Sequence, residues 1–278
     1  MSVRIIVDST ADLIPAIKNK VRTVHLTVHF GNEEFIDGVT IDHKTFYEKL
    51  VSGNALPSTS QATPAAFEAQ YEQIKADGDS AVVLTVASKL SGTYQSAIIA
   101  AEGYENIYVV DSATVAIGSG ILTELALQLV DAGLDAKQIA EKLEEEKQKI
   151  RIVAVVDTLE YLKRGGRISK TVAFAGGLLN IKPVLGVTDG EITILGKARG
   201  NKQGNTLLIE EIEKSGGMDC TRPVMLGYTG LSDELLQTFL DSSRQMWAPV
   251  HQLHTSVIGS VIGTHAGPGA VAAAYFKK

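Results

Sequence analysis

Three short stretches gather hydroxyls, backbone donors and an imidazole in the pattern that a bound anion requires. Pro57-Ser58-Thr59-Ser60-Gln61 precedes a helix with Pro64 in its first turn, and Ser88-Lys89-Leu90-Ser91-Gly92-Thr93 follows an apolar run and opens another helix. Each turn sets Ser and Thr side chains beside the unpaired N–H groups of a helix start. Such a turn can hold a carboxylate or phosphate without a metal. The same residue types are also the ordinary N-caps of helices, and both readings stand on the residues alone. The third stretch is Gly263-Thr264-His265-Ala266-Gly267-Pro268-Gly269. Glycines on both sides of His265 permit close backbone approach, and the Ala-rich residues after Gly267 read as a helix. Two basic elements accompany them: Lys163, Arg164 and Arg167 around Gly165-Gly166, and Lys197, Arg199 and Lys202 after a hairpin. They read either as docking points for an acidic partner or phosphate, or as solvated loops.

Familiar alternatives fail on spacing. No G-x-G-x-x-G follows a strand, and the approach to a phosphate loop at Gly190–Gly196 has one residue too many, with Lys197 followed by Ala198. No G-x-S-x-G nucleophile elbow occurs. His25 and His29 lie in a strand-like segment, where positions four apart cannot share one ion, and His251 and His254 fall on opposite strand faces. No metal or other cofactor is therefore expected. Cys220 is the only cysteine, which leaves no disulfide framework. Asp8 and Asp111 each end a buried strand ahead of Ser, where a carboxylate serves either a site or a cap. The net charge of −6 argues against a general nucleic-acid binder, which needs clustered positive charge. The first residues resemble no secretory leader, and no apolar run approaches the roughly 18 residues of a span. A soluble cytoplasmic protein without stable membrane insertion is expected, with at most transient membrane contact.

The elements that must position these groups follow from apolar patterning. Val3–Val7, Ala81–Val86, Ile107–Val110 and Ile152–Val156 are continuous Val- and Ile-rich runs, the pattern of parallel strands covered on both faces. Helical patterns over Thr63–Lys75, Gly92–Ala101, Val115–Ala132 and Ala136–Lys149 separate them. This alternation predicts a three-layer α/β/α domain. In the second half, Lys182–Val187 and Glu191–Leu195 flank Asp189-Gly190, a hairpin signal. A helix near Asn205–Lys214, a strand at Pro223–Tyr228, a helix at Asp233–Met246 and a strand at Val250–Val257 complete a predicted α+β domain with a mixed sheet. The division is placed as 1–153 and 154–278, with firm packing between the two because no Ser/Pro-rich linker separates them.

Seven motifs in order then resemble the DegV family of fatty-acid-binding proteins: Asp8-Ser9-Thr10, Thr59-Ser60-Gln61, Leu90-Ser91-Gly92-Thr93, Asp111-Ser112, Gly165-Gly166-Arg167-Ile168, Lys182-Pro183 and His265-Ala266-Gly267-Pro268-Gly269. The resemblance covers essentially the whole chain. It implies a two-domain DegV-like fold and an acyl-binding subunit of a bacterial fatty-acid kinase. Such a subunit encloses one long-chain fatty acid, with its head group near the domain interface. It presents the carboxylate to a separate ATP-binding catalytic subunit for acyl-phosphate formation, feeding phospholipid synthesis. On this resemblance Thr59 and Ser91 are the carboxylate-binding hydroxyls and His265 the associated imidazole. Ser60, Gly92, Thr93 and Gly267 belong to the same ligand-binding motifs. Arg167, Arg199 and Lys197 would be partner-docking or phosphate-proximal. The chain departs from the family pattern at Ala62-Thr63-Pro64 and is less basic than many relatives over residues 197–203.

Simple energetics agree with that role. Burying the roughly 14 methylenes of a 16-carbon chain contributes on the order of 10 kcal/mol before association costs, so the polar groups need only orient the carboxylate. Neutral donors would leave it nucleophilic toward a γ-phosphate. Phe174, Leu178, Leu179, Ile258 and Ile262 are the expected tunnel lining, and an Arg167→Ala variant is expected to keep its lipid. The chain itself would have no catalytic residues. A lipid carrier independent of any kinase and a small-molecule phosphotransferase are the competing readings.

Overall fold

The structure is a computed structural model and describes residues 2–53, 56–169 and 180–278. Phe174, Leu178 and Leu179 lie outside the described residues.

Strand β1 (Val3–Asp8) leads through the single turn α1 (Pro15–Lys18) to β2 (Val21–Val24). The chain then leaves this sheet to form β3 (Thr27–Phe30), β4 (Glu33–Ile36), α2 (His43–Ser52) and β5 (Ser58–Ser60). These three strands make a small antiparallel sheet ordered β4-β3-β5. Helix α3 (Pro64–Ala76) is set by its ends: Thr63 Oγ1 accepts from Ala66 N–H, and Pro64 occupies the first helical position. It returns the chain to β6 (Ser80–Thr85), buried at every position, and α4 (Thr93–Ala100) connects to β7 (Ile107–Asp111). The order β2-β1-β6-β7, parallel throughout, is the predicted parallel sheet. Helices α5 (Ile117–Asp131) and α6 (Ala136–Glu146) follow, α6 opened by an Asp135/Gln138 capping box.

The second half builds one mixed sheet. Strand β8 (Ile150–Val155) is followed by α7 (Glu160–Arg164), and the hairpin of β9 (Ile181–Thr188) and β10 (Glu191–Arg199) turns at Asp189 and Gly190, both with positive φ. Then come α8 (Gly200–Lys214), β11 (Val224–Tyr228), α9 (Glu234–Ser242), α10 (Arg244–Trp247), β12 (Leu253–Val257), α11 (Ser260–Ala266) and β13 (Val271–Phe276). The sheet order is β10-β9-β8-β13-β11-β12, and only β11 and β12 run parallel.

Four readings change. The segment at 152–156, read as a parallel strand, pairs antiparallel with β9 and β13 in the mixed sheet. Ser58–Ser60 is an edge strand rather than a turn, paired with β3. The stretch read as one helix to Met246 breaks at Ser243, whose Oγ takes the indole N–H of Trp247. Most important, Ala-rich residues 271–276 form a strand and not a helix. The helix lies before Gly267 and ends at Ala266. Alanine favours a helix intrinsically, but β13 sits between β8 and β11 with all six residues buried, and that tertiary pairing overrides propensity.

The two sheets share one helical layer. Helices α3 and α4 cover one face of the parallel sheet, where Phe67, Tyr71 and Ala97 meet Ile6 and Val83. On the other face α5 and α6 pack, and the same cluster continues into Ile152, Met225 and Ala272 of the mixed sheet. Helix α5 is therefore buried all round from Ile117 to Glu124. Gly120 permits it, because a Cβ there would fall on the Asp12 carbonyl. Helices α8, α9 and α10 cover the outer face of the mixed sheet through Leu208, Phe239 and Trp247.

Candidate ligand-binding site

Between the carboxyl ends of β1 and β6 and the inner face of the mixed sheet lies a cavity of about 390 Å³. The volume falls within the roughly 300–1,000 Å³ of small-molecule sites, and the ends of parallel strands are where open α/β sheets place them. Its floor follows from strand alternation. Ile152, Ala154 and Val156 face it from the β8 segment, Leu185 and Val187 from β9, and Ala270 and Ala272 from the β13 segment. Ala154 and Ala272 are direct cross-strand partners, so two methyl groups stand where larger side chains would fill the space. Ile258 and Ile262 line it as expected. Apart from a few residues the wall is aliphatic.

Those few residues converge. Alternation along β5 turns Thr59 opposite to Ser58 and Ser60 and toward α11, where Thr59 Oγ1 lies 2.9 Å from His265 Nε2. Burial first and the Arg167 guanidinium second push the His265 imidazole down to about 4, so the ring is neutral at pH 7. Its buried Nδ1 has no hydrogen-bond partner among the described residues. A buried lone pair costs less than a buried N–H, which favours the tautomer with the proton on Nε2. Nε2–H then donates to Thr59 Oγ1 and leaves the Thr59 O–H free to donate into the cavity.

Ser91 reaches the cavity from the turn before α4, held by Thr93: their hydroxyl oxygens are 2.9 Å apart and Thr93 N–H donates to Ser91 Oγ at 3.3 Å. Thr93 itself is fully buried and supports Ser91 rather than lining the space. Gly92 lines it, and a Cβ there would strike the Gln61 amide. Gln61 Nε2 donates to Ser96 Oγ at 2.9 Å and Gly92 O at 3.3 Å, locking the two hydroxyl segments together. Ser60 borders the cavity, but its hydroxyl lies on the opposite face of β5, with Oγ 2.9 Å from His29 Nε2.

The basic residues separate. Arg167, expected to be partner-docking or phosphate-proximal, lines the cavity: Nε donates to Leu90 O at 3.0 Å and Nη1 to Gly165 O at 2.7 Å. Lys197 and Arg199 are exposed on the edge strand β10 and do not line it. Gly267 ends α11 at φ +72° without lining the cavity, and a Cβ there would run into the Tyr161 ring. Asp8 holds structure. Its Oδ1 accepts from Thr10 N–H and O–H, and its Oδ2 accepts from Val86 N–H. Asp111 likewise accepts from Ser88 and Ala113 N–H. Both act as caps.

Two contributors went unread in the sequence, Gln61 as a lock and Gly165 as a spacer. A Cβ on Gly165 would fall on His265 Nδ1, although its φ of −70° needs no glycine. The signal was available: a helix end needs one left-handed glycine, here Gly166, and the second of the pair calls for another reason.

Comparison with known proteins adds the lineage. A family model described as "Uncharacterised protein, DegV family" matches residues 2–278. The chain belongs to the DegV family. A DegV domain-containing protein of Caldanaerobacter subterraneus subsp. tengcongensis is 32% identical over 280 residues, 99% of each chain. A DegV-family structure from Thermus thermophilus, described as binding fatty acid, superposes with a TM-score of 0.90 at 31% identity, over 99% of this chain and 100% of that one. DegV of Bacillus subtilis, described as a fatty acid binding protein, gives 0.84 at 30% identity over the whole of both chains. The two-domain α/β DegV fold is thus shared along the full length, parallel sheet and mixed sheet alike. Among the described residues no helix is long and apolar enough to cross a membrane, and no three His, Cys, Asp or Glu are grouped to hold a metal.

Proposed function

We propose that this DegV-family chain binds one long-chain fatty acid, with its tail in the aliphatic cavity and its carboxylate at Thr59, Ser91 and Arg167. The observation that carries the reading is the meeting, in one largely aliphatic space, of the Thr59–His265 pair, the Ser91 hydroxyl and, among the described residues, a single guanidinium. Thr59 and Ser91 donate to the carboxylate, His265 fixes the direction of the Thr59 hydroxyl, and Arg167, whose Nε and Nη1 are taken by the Leu90 and Gly165 carbonyls, attracts the carboxylate without the bidentate pairing that would blunt its nucleophilicity. The fatty-acid-binding relatives named above support the ligand class.

The bound carboxylate is then presented to a separate ATP-dependent kinase subunit for acyl-phosphate formation, and the chain contributes no catalytic group. The family resemblance supports this step, as does the lack of any phosphate-loop motif in the sequence. Exposed Lys197 and Arg199 on β10 are the proposed docking residues, with a division of the chain near 153/154 and β8 leading into the ligand-facing sheet.

Native mass spectrometry of the purified protein tests the ligand. A single adduct with the mass of a long-chain acid is expected, and a bare chain that takes up no added acid refutes the reading. Incubation of the loaded protein with a cognate kinase subunit and ATP tests presentation. Acyl-phosphate is expected, and retained lipid without turnover leaves a carrier.

A further inference from the structure

The walls of the ligand cavity are joined differently on its two sides. On the α11 side the contacts are buried and directed: Asp12 Oδ1 accepts from Gly259 N–H at 2.9 Å, and Tyr47 O–H donates to Ile258 O at 2.9 Å. Thr59 and His265 close the same side. On the other side the tip of the β9–β10 hairpin lies against the turn that carries Leu90 and Ser91, both of which line the cavity. Gly190 is buried there, and a Cβ on it would stand 3.2 Å from the Ala87 Cβ and 3.8 Å from the Ala113 Cα. Lys89 Nζ meets Glu191 Oε1 at 3.1 Å, with both side chains exposed. Among the described residues no backbone hydrogen bond joins 188–192 to 87–91. An exposed ion pair holds weakly in water, so this side is the less firmly fastened.

The hairpin is also built to bend at this end. Strand β9 is anchored along its inner edge by β8 as far as Val187, which lies opposite Ile152. Strand β10 is the edge of the sheet and pairs with β9 alone. Its register shifts between Ile194 and Gly196, which makes Leu195 a bulge. A bulge interrupts the ladder and lets the strand bend. Residues 188–194 are therefore a short flap between the last pairing with β8 and the bulge. Ile192 of this flap lines the cavity opposite Val187.

We infer that the flap is the gate of the cavity. Residues 188–194 bend away about Leu195 and the Lys89–Glu191 pair parts. A gap then opens between Ile192 and the Leu90–Ser91 turn. The turn stays in place, because Leu90 O is held by Arg167 Nε at 3.0 Å. The gap lies beside Ser91, so an acyl chain enters tail first and its carboxylate stops at the proposed head-group site. The gate rests on the fatty-acid reading above.

Stopped-flow uptake and release of a fluorescent fatty acid by the full chain test it. In a Cys220→Ser background, Lys89→Cys and Glu191→Cys are bridged with a short bis-methanethiosulfonate, and intact mass verifies the bridge. Bridging should slow uptake and release alike, each at least about tenfold, keep equilibrium affinity within about threefold, and reverse on reduction. Capping the two cysteines with methyl methanethiosulfonate should not slow either rate. Lys89→Glu needs no bridge: it sets like charges at the tip and should speed release about twofold to fivefold at low salt. Exchanging the charges, Lys89→Glu with Glu191→Lys, should restore the wild-type rate. Bridged protein that exchanges as fast as unbridged, or Lys89→Glu release equal to wild type at low salt, overturns the gate. Native mass spectrometry of the unbridged protein keeps the two readings apart. A chain that takes up no acid refutes the lipid reading, whereas one that loads fully and ignores the bridge refutes the gate alone.

Discussion

Replacing Thr59 by Val isolates the hydroxyl at the centre of the proposed head-group site. Thr59 is the middle residue of β5, paired with Val28, and Val keeps its β-branch, near-equal volume and strand preference. Only the hydroxyl disappears. In the free protein the substitution strands His265 Nε2, which lies 2.9 Å from that oxygen. A buried donor without a partner costs about 1–3 kcal/mol, or several degrees of melting temperature in a chain of this size. In the complex it removes a hydrogen bond to a charged carboxylate, worth about 1.5–3 kcal/mol. Affinity should fall roughly tenfold to hundredfold. Thr59→Ser restores the hydroxyl and should recover most of the loss. Displacement of a fluorescent fatty acid measures all three proteins, with the fatty-acid methyl ester as a ligand of similar tail and no charge. The ester should lose much less than the acid. A folded Thr59→Val protein that binds the acid within about threefold of wild type, or that loses acid and ester equally, refutes the assignment of Thr59 to the carboxylate.

Further outcomes follow from the same site. The folded His265 ring titrates at about 4 against 6.5 for the free ring, so on acidification the unfolded chain takes up this proton first. Its contribution of about 3 kcal/mol is complete above about pH 6.5 and lost as pH falls toward about 4. Urea melts across that window should show the slope, and His265→Gln should flatten it; parallel profiles would contradict the buried neutral ring. Arg167→Gln removes the second cause of the depressed titration and, among the described residues, the only guanidinium lining the cavity. The imidazole resonances should titrate higher and fatty-acid affinity should drop about tenfold, whereas unchanged affinity would return Arg167 to a docking role alone. Gly165→Ala places a methyl on His265 Nδ1 at an ordinary φ, while Gly166→Ala meets open space at φ +70°. The first should impair lipid retention; the second should cost about 1 kcal/mol of stability and spare it. The reverse pattern in paired melts and lipid extraction would exclude Gly165 as a spacer.

What the sequence made legible follows the range of the interactions involved. Strand β6 and the last four residues of β1 are buried on both faces, and a continuous apolar run reports that directly, while the edge strand β7 is half-buried. The Asp189-Gly190 hairpin is equally local, because two positive φ values select those residue types. Segment 271–276 misled because its small side chains serve a distant requirement. Ala272 opposes Ala154 across the sheet and keeps the cavity open, which a propensity scale cannot register. Thr59, Ser91 and His265 were each readable as hydroxyl or glycine-flanked motifs, yet their meeting depends on a contact spanning 206 residues between β5 and α11. Arg167 was readable as partner-docking or phosphate-proximal but not as a cavity wall, because its inward placement rests on the distant carbonyl of Leu90 as well as the local one of Gly165. Asp12 gave no signal at all. Its partner, Gly259, is 247 residues away.

Helix α5 touches strands of both sheets, and one continuous cluster runs through it from Ile5 and Val82 to Met225 and Phe276. Neither half of the chain therefore encloses a complete interior. A fragment ending near residue 149 would expose the α5 surface that meets Ile152 and Ala272, and a fragment beginning at 150 would expose the opposite wall. Separate expression of the halves should yield aggregating chains, while the intact protein should melt in one step with equal calorimetric and van't Hoff enthalpies. The proposed ligand cavity lies along this same seam, bordered by Ile117 of α5 and by Ala154 and Ala272 of the mixed sheet. Bound fatty acid is therefore expected to tie the two sheets together and to raise the melting temperature of the whole chain as one unit.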